Sequence, residues 1–380
     1  MDKNHEVYRH KHIVLAVDHY NPLGIVRSLG EEGIRPIVLL CGEDHHLVSK
    51  SKYIGEYHHF ETIEDGLQFI IKNFSNDSLK PFIYNGSDDI TLLLDSHYIE
   101  LKNHFYFTHG QGGIEKYLQK YDITQLAKSC GIGIPKEELL KVGKMPSTLK
   151  YPVITKAATS IGDLSWKEQT FICKDEKELQ IAYKSIKAPT ILVQEFIRKK
   201  NELCIDGISI NGGEQVFMPY GCNYYRFVDG AFGEYMYFRP FEDKDLAGKI
   251  TKVIRGAKFT GIFCVEFMIG PDDNLYFLEV NFRNSGWSYA FTYGGFNLPF
   301  RWAVSTIDNQ LYLSDFKPLK QFDAMSEFAD FAVFVKNKKL VPFCQWLKEF
   351  RKSVCYTYNK KDKKPFYYFL LHKVLKQFNR

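Results

Sequence analysis

The stretch from Tyr276 to Gly286, YFLEVNFRNSG, ends an apolar strand with a carboxylate, an amide and, shortly after, a guanidinium. A second apolar stretch, FCVEFMI, places Glu266 13 residues before Glu279. The short connection PDDN between the two stretches predicts an antiparallel strand pair. Glu279 and Asn281 are two residues apart and share one face of their strand, where we expect Glu266 to lie opposite them.

The facing side chains predict a site for a divalent cation. Two carboxylates at the separation of paired strands repel each other unless a cation lies between them. Carboxylate and amide oxygens suit Mg²⁺. A single strand glutamate is usually just exposed, but three oxygen donors at matched positions, followed by Arg283, favour a metal that serves phosphate groups.

Length and charge limit the classes of protein that this chain can belong to. The 380 residues are too many for one simple core, so two or three domains are expected. Residues 336–380 carry 13 Lys and Arg against two acids, although the whole chain has a net charge of +5. This asymmetry predicts an anionic partner for the tail and argues against a nucleic-acid-binding protein.

The cysteines and the N-terminal residues indicate the compartment. Eight cysteines are scattered without a CxxC pair, which predicts reduced and mostly buried thiols. The first residues, MDKNHEVYRHKH, lack the apolar run of a signal peptide. We therefore expect a cytoplasmic protein, with peripheral contact at the inner membrane face as a further option.

A βαβ pattern opens the chain. HIVLAV and IRPIVLLC are typical of buried parallel strands, and PLGIVRSLGEEG between them is typical of a helix. Asn21 before Pro22 predicts the N-cap of that helix. The turn DHYNP lacks GxGxxG, so a dinucleotide site is only weakly indicated. Past residue 200 the pattern becomes antiparallel, so the predicted fold class is α/β, with α+β in the second half.

The strand pair resembles the metal-binding strands of ATP-grasp enzymes, in which an acidic residue or Gln precedes an E-x-N-x-R element at a similar spacing. The resemblance covers roughly residues 115–300. It implies a Rossmann-like pre-ATP-grasp domain at 1–115 and an ATP-grasp domain at 116–330. Within the latter it implies a small lid subdomain at about 150–198, and residues 331–380 are left as a basic, aromatic tail.

The resemblance also implies cofactors and site residues. The cofactors are ATP and Mg²⁺ (or Mn²⁺), with Glu266, Glu279 and Asn281 as metal ligands and Arg283 as the catalytic residue. Lys120 and Lys156 would contact phosphates, and the hinge segment Glu195, Phe196 and Ile197 would meet the adenine. Glu202 would bind the ribose. Thr159, Ser160 and Gly162 belong to a loop that would cover the phosphates.

The activity implied is ATP-dependent ligation of a carboxylate to an amine through an acyl phosphate, as in stand-alone ligases such as D-aspartate ligase. The substrates would be an amino acid or small carboxylate and an amine. Arg226 and Arg239 are predicted to hold a substrate carboxylate, although stacking on nearby tyrosines is equally compatible. A homodimer is a further expectation.

Two alternatives stay open. The loop KAATSIGDLSW carries Asp163 where the family often has a second glycine. A catalytically impaired, ATP-binding regulator or scaffold of the same fold is therefore the second hypothesis. The tail, with its stretch PFYYFLLHKVLKQF, could contact an anionic membrane or a lipid-linked substrate. It could equally form a terminal helix packed on the body.

Overall fold

The structure is a computed structural model, which describes residues 4–43, 45–158, 169–227, 235–336 and 342–378. The side chains of residues 336 and 373–378 are not part of this description. Four residues singled out from the phosphate loop lie outside the described ranges: Thr159, Ser160, Gly162 and Asp163. The sequence also predicts a possible hairpin turn at Asp229 and Gly230, and these two residues lie outside the described ranges as well.

The first part of the chain is a parallel α/β domain. Its strands are β1 His12–Val17, β2 Ile37–Cys41, β3 Glu56–Phe60, β4 Phe82–Tyr84 and β5 Tyr106–Phe107. They pair in parallel in the order β3-β2-β1-β4-β5. The helices are α1 Tyr20–Glu31, α2 Ile63–Phe74, α3 Asp88–Ser96 and α4 Tyr98–Leu101. This arrangement confirms the α/β class predicted from the opening βαβ pattern.

The start of α1 differs from the prediction. The N-cap is His19, whose Nδ1 accepts a hydrogen bond from the backbone N–H of Asn21 at 3.2 Å. Asn21 instead lies inside the first turn and donates from Nδ2 to the backbone oxygens of Gly86 and Asn284, at 2.9 and 2.7 Å. Its amide therefore joins three segments of the chain, and long-range bonds of this kind outweigh a local capping preference.

A small antiparallel sheet follows the linking helices α5 Ile114–Leu118 and α6 Lys120–Ser129. Its elements are β6 Glu137–Lys141, β7 Val153–Ala157, β8 Ile172–Cys173, α7 Glu176–Tyr183 and β9 Thr190–Glu195, and the strand order is β6-β9-β7-β8. Strand β6 precedes the predicted lid range of 150–198. It is an edge strand without a fully buried residue, so no apolar alternation marks it in the sequence.

The second large sheet holds most of the remaining chain. Its strands are β10 Asn201–Ile210, β11 Gln215–Tyr224, β12 Tyr235–Pro240, β13 Gly261–Ile269, β14 Leu275–Asn281, β15 Phe322–Met325 and β16 Val354–Cys355, in the order β14-β13-β10-β11-β12-β15-β16. Its pairs are antiparallel apart from β15 with β16. Helix α8 Lys244–Gly256 lies between β12 and β13, and α9 Tyr289–Tyr293 and α10 Leu298–Asp308 lie between β14 and β15.

The C-terminal segment contacts both the first domain and the large sheet. It contains α11 Glu327–Lys336, α12 Phe343–Lys352 and α13 Lys364–Phe378. Arg27 of α1, with no exposed surface, donates from Nε to Asp362 Oδ2 at 3.1 Å and also to the backbone oxygens of Tyr356 and Thr357. These residues of the predicted tail are thus part of the folded body. Among the described residues, no helix has the length and apolar character needed to cross a membrane.

Candidate active site

The predicted strand pair forms as an antiparallel ladder. Strand β13 pairs with β14, and Glu266 is the direct partner of Glu279. The register shifts immediately after this pair, because Phe267 faces Phe277 and Leu278 is left as the extra residue of a bulge. With this register, the side chains of Glu279 and Asn281 lie on the same face of the sheet as that of Glu266. The three side chains therefore meet near the end of β14, the edge strand of the sheet.

Hydrogen bonds join the three side chains. Asn281 donates from Nδ2 to Glu266 Oε1 at 2.8 Å and to Glu279 Oε1 at 3.3 Å. The Oδ1 atom of the same amide accepts from Nη2 of Arg283 at 2.9 Å. The amide nitrogen thus lies between two carboxylates, in the place where a cation would balance their charge.

The surroundings of Glu266 disfavour the charged form of its carboxyl group. Burial raises the pKa of its carboxyl well above the ordinary value, and the charges of Glu279 and Glu202 raise it further. Ligand atoms of Glu202, Cys204 and Glu266 lie within 4.8 Å of one another. Glu202, implied as the ribose contact, therefore lies beside the metal residues, and Lys199 Nζ donates to its Oε1 at 2.7 Å.

Arg283 connects the large sheet to the first domain. Its Nε donates to Asp88 Oδ1 at 3.0 Å, and Asp88 is the first residue of α3. Burial acts to lower the pKa of the guanidinium, but the nearby carboxylates of Asp88, Glu279 and Glu266 outweigh it and raise the pKa, so the group stays charged. This bond fixes the arginine between the two domains.

A cavity of about 420 Å³ opens at this junction. The predicted metal residues Glu266, Glu279 and Asn281 form one wall together with Arg283. The opposite wall comes from the first domain, and the loop after β14 completes the lining. These remaining lining residues are His19, Tyr20, Asn21, Gly86, Ser87, Asp88, Asp89, Ser285, Gly286 and Trp287.

Sequence reasoning missed the wall that the first domain contributes. The turn DHYNP predicts a helix N-cap and lacks a glycine motif, yet three of its residues, His19, Tyr20 and Asn21, line the cavity. Burial lowers the pKa of His19 to about 4, with a further contribution from the charge of Arg283, so its ring is neutral at physiological pH. A polar turn at the carboxyl end of the first parallel strand is the signal that could have identified this wall.

Asp206 is a second missed residue. It lies in β10 with no exposed surface, accepts from Trp287 Nε1 at 2.8 Å and also accepts a hydrogen bond from the Ser285 hydroxyl. Burial raises its pKa to about 6. Its carboxylate therefore positions the loop that carries Trp287 into the cavity. A charged residue inside the apolar run CIDGISI was the available signal.

Two predicted phosphate lysines lie near each other. Lys120 begins α6, and its backbone N–H donates to Ala158 O, just past β7, at 2.8 Å. Burial and the charge of Lys120 lower the pKa of Lys156 to about 8, whereas the carboxylate of Glu279 acts in the opposite direction. Lys156 of the small sheet therefore interacts electrostatically with both Lys120 and a metal residue of the large sheet.

The predicted adenine hinge lies directly after β9. The backbone N–H groups of Glu195 and Phe196 donate to Lys136 O and Pro152 O, at 2.8 and 3.1 Å. The next residue, Ile197, makes no such backbone bond within the described part of the chain. Its N–H is the hinge donor that a ligand could use.

The two predicted substrate arginines lie apart from the cavity. Arg226 pairs through Nη2 with Asp330 Oδ2 at 2.7 Å and through Nη1 with Glu349 Oε2 at 2.5 Å. Protein carboxylates therefore already bind both terminal nitrogens of its guanidinium group. Arg239 is exposed, donates to Gln321 Oε1 at 2.9 Å and lies over the ring of Tyr237. Neither residue lines the cavity.

Comparison with known proteins identifies the fold. No family model matches the chain. It is 29% identical over 152 residues to N5-carboxyaminoimidazole ribonucleotide synthase of Staphylococcus aureus strain COL, a match that spans 40% of each chain. The structure of N5-carboxyaminoimidazole synthetase from S. aureus superposes with a TM-score of 0.67 at 17% identity, over 87% of this chain and 86% of that one. The chain has the ATP-grasp fold.

A second solved structure supports the same fold. L-amino acid ligase from Bacillus licheniformis superposes with a TM-score of 0.61 at 13% identity, covering 83% of this chain and 79% of that one. Both superpositions thus cover more than four fifths of this chain. The curated relatives match over less than half of their own length.

The predicted metal residues Glu266, Glu279 and Asn281 fit a hard divalent cation in donor type. Glu266 and Glu279 offer carboxylate oxygens on paired strands, and their mutual repulsion is of the kind that a cation removes. Asn281 directs its nitrogen toward the carboxylates and its oxygen toward Arg283. It can act as a ligand only after a half turn of its amide group.

Proposed function

We propose that the chain is an ATP-dependent ligase that joins a carboxylate to an amine, with ADP and phosphate as products. The observation that carries the proposal is the convergence of Glu266, Glu279, Asn281 and Arg283 on one cavity, with Lys156 close enough for its pKa to respond to Glu279. Phosphoryl transfer needs this combination of cation ligands and positive side chains.

We assign the nucleotide to the space between the small and large sheets. Lys120 and Lys156 supply positive charge for the phosphates. The hinge residues Glu195, Phe196 and Ile197 would meet the adenine, with the N–H of Ile197 as a donor. Glu202 would bind the ribose or the cation. The S. aureus synthetase has also been solved in complex with ADP, which supports ATP as the nucleotide.

A bound Mg²⁺ would screen the charge of the nucleotide phosphates. Glu266 and Glu279 would hold it, together with Asn281 after its amide turns. Arg283, held by Asp88, would contact the transferred phosphoryl group where it meets the acceptor. The carboxylate substrate attacks the terminal phosphorus and forms an acyl phosphate, and the amine then displaces phosphate from the acyl carbon.

We place the acceptor substrates in the 420 Å³ cavity. Its first-domain wall offers the neutral ring of His19 and the carboxylates of Asp88 and Asp89. These groups suit small polar substrates. Arg226 and Arg239 are not included in this proposal, because one is paired with protein carboxylates and the other lies on the exposed surface.

The proposal is tested by product analysis. The purified chain is incubated with Mg·ATP and pairwise mixtures of amino acids, small carboxylates and amines, and ADP and phosphate are measured. We expect phosphate release that requires both a carboxylate and an amine. Tight nucleotide binding without release by any mixture would instead favour the regulator or scaffold alternative.

A further inference from the structure

The C-terminal helix α13 presents an apolar face to solvent. Four neighbouring side chains on it, Tyr367, Tyr368, Leu370 and Leu371, are 56%, 49%, 40% and 55% exposed. We call these four residues the α13 face. Single exposed apolar residues are common on protein surfaces, but a contiguous group usually marks a surface that another molecule covers.

Positive charge borders the α13 face. Lys360, Lys361, Lys363 and Lys364 precede or begin the helix, and all four are exposed. Lys361 pairs with Glu31 at 3.2 Å. For the other three, no carboxylate of the described residues lies within 4.0 Å.

This charge does not serve the stability of the helix. The first turn of α13 has no acidic residue, although acids at that position stabilise a helix and lysines oppose its dipole. Asp362, the acid within the lysine run, is buried against Arg27 and does not offset the lysines. The lysine group therefore adds to the positive potential of the helix end and favours an anionic partner.

We propose that the α13 face and its lysines dock on an anionic membrane surface. Amphipathic tyrosine side chains suit the boundary between headgroups and acyl chains, leucines can enter that boundary, and lysines pair with anionic headgroups. A second copy of this chain would bring the same lysines together and be repelled. A nucleic acid would use the lysines but leave Leu370 and Leu371 without a role.

The test uses the full-length chain and sedimentation with lipid vesicles. One set contains phosphatidylcholine alone, and the other contains phosphatidylglycerol mixed with phosphatidylcholine. We expect binding to the mixed vesicles that falls as NaCl is raised, and little binding to phosphatidylcholine. Each lysine near an anionic bilayer contributes about a fivefold gain in partitioning, so K363E/K364E should weaken binding by more than about tenfold.

Matched control variants test whether membrane binding depends on the α13 face itself or only on the total charge and hydrophobicity of the protein surface. L370S/L371S should also weaken binding by about tenfold or more, since each leucine loses its insertion into the interface. K244E/K252E makes the same charge change on α8, and I99S/I181S makes the same apolar change at exposed positions elsewhere. Both control variants should bind like the parent chain.

Three results would overturn the proposal. One is equal binding to the two vesicle types, and another is equal loss in the test and control variants. The third is a dimer, seen by light scattering without lipid, that L370S/L371S converts to monomer while vesicle binding is absent. Because ligase turnover is measured without vesicles, failure of this proposal leaves the proposed activity unaffected.

Discussion

Arg283 donates from Nε to Asp88 Oδ1 at 3.0 Å and from Nη2 to Asn281 Oδ1 at 2.9 Å. One guanidinium therefore joins the first residue of α3 in the parallel domain to the end of β14 in the large sheet. The arginine assigned to the transferring phosphoryl group is positioned by a domain that contributes none of the three metal residues. This bond explains how the first domain shapes the active site as well as the cavity wall.

Asp88→Asn tests this relationship. Asparagine keeps an acceptor oxygen but removes the charge, so Arg283 should be less firmly oriented. We expect kcat to fall by about 10- to 100-fold while nucleotide affinity changes by less than about twofold. The measurement is steady-state phosphate release together with calorimetric ADP binding.

Asp245→Asn is the matched control for this prediction. Asp245 is also in the first turn of a helix, α8, but its side chain is 80% exposed, and among the described residues its one ion pair is with Lys249. Its replacement should leave both parameters unchanged. Equal effects of the two variants on kcat would contradict the positioning role of Asp88.

Glu279→Gln tests the proposed cation site. The variant keeps the shape of the side chain but removes one of two facing carboxylates, so we expect turnover to fall by about 100-fold or more. Adenosine binding without a cation should persist. Removing the charge should also lower the pKa of Glu266, because Glu279 is one of the groups that raise it. Glu242→Gln, at an exposed position, is the control and should keep parental turnover. Parental turnover of Glu279→Gln would contradict the role of Glu279 as a cation ligand.

The pKa of Lys156 predicts a pH dependence of nucleotide binding. Burial and Lys120 lower this pKa to about 8, so the free protein loses the proton as pH rises through that value. Phosphates favour the charged form, and ATP affinity should therefore weaken above pH 8 by up to about tenfold per pH unit. Calorimetric titrations between neutral and alkaline pH measure this slope.

Lys156→Arg is the control for the pH effect, because arginine stays charged over the whole range. The slope above pH 8 should be largely absent in this variant even if overall affinity changes. An identical slope in parent and variant would show that another group is responsible.

The buried pair of Arg27 and Asp362 predicts that the C-terminal segment is required for stability. Asp362→Ala leaves a fully buried guanidinium without its carboxylate, which should reduce the free energy of unfolding by about 3–5 kcal/mol. The neighbouring exposed pair of Lys361 and Glu31 is the control, and Lys361→Ala should cost less than about 1 kcal/mol. Urea unfolding measures both, and similar losses in the two variants would contradict the structural role of the buried pair.

The metal strand pair could be predicted from the sequence because its geometry is local. Alternation fixes the face of Glu279 and Asn281, and a short turn fixes the partner of Glu266. The pairing of Glu266 with Glu279 in the ladder confirms that reasoning. The α/β class followed in the same way from the apolar runs of β1 and β2.

Features that depend on long-range packing could not be predicted in this way. Arg226 appeared free for a substrate, but its partners Asp330 and Glu349 lie 104 and 123 residues away in the sequence. The cavity wall formed by Tyr20 and Asn21 required knowledge of how the first domain meets β14. Local patterns carry no information on either arrangement.

The most direct test of the proposed ligase uses oxygen isotopes. The chain is incubated with Mg·ATP, amines and a pool of amino acids and small carboxylates labelled with ¹⁸O in their carboxyl groups, and phosphate is examined by ³¹P NMR. Attack of a carboxylate oxygen on the terminal phosphorus, followed by displacement by the amine, transfers one ¹⁸O atom into each inorganic phosphate. The account predicts singly labelled phosphate and ADP, whereas unlabelled phosphate, or AMP with pyrophosphate, would contradict it.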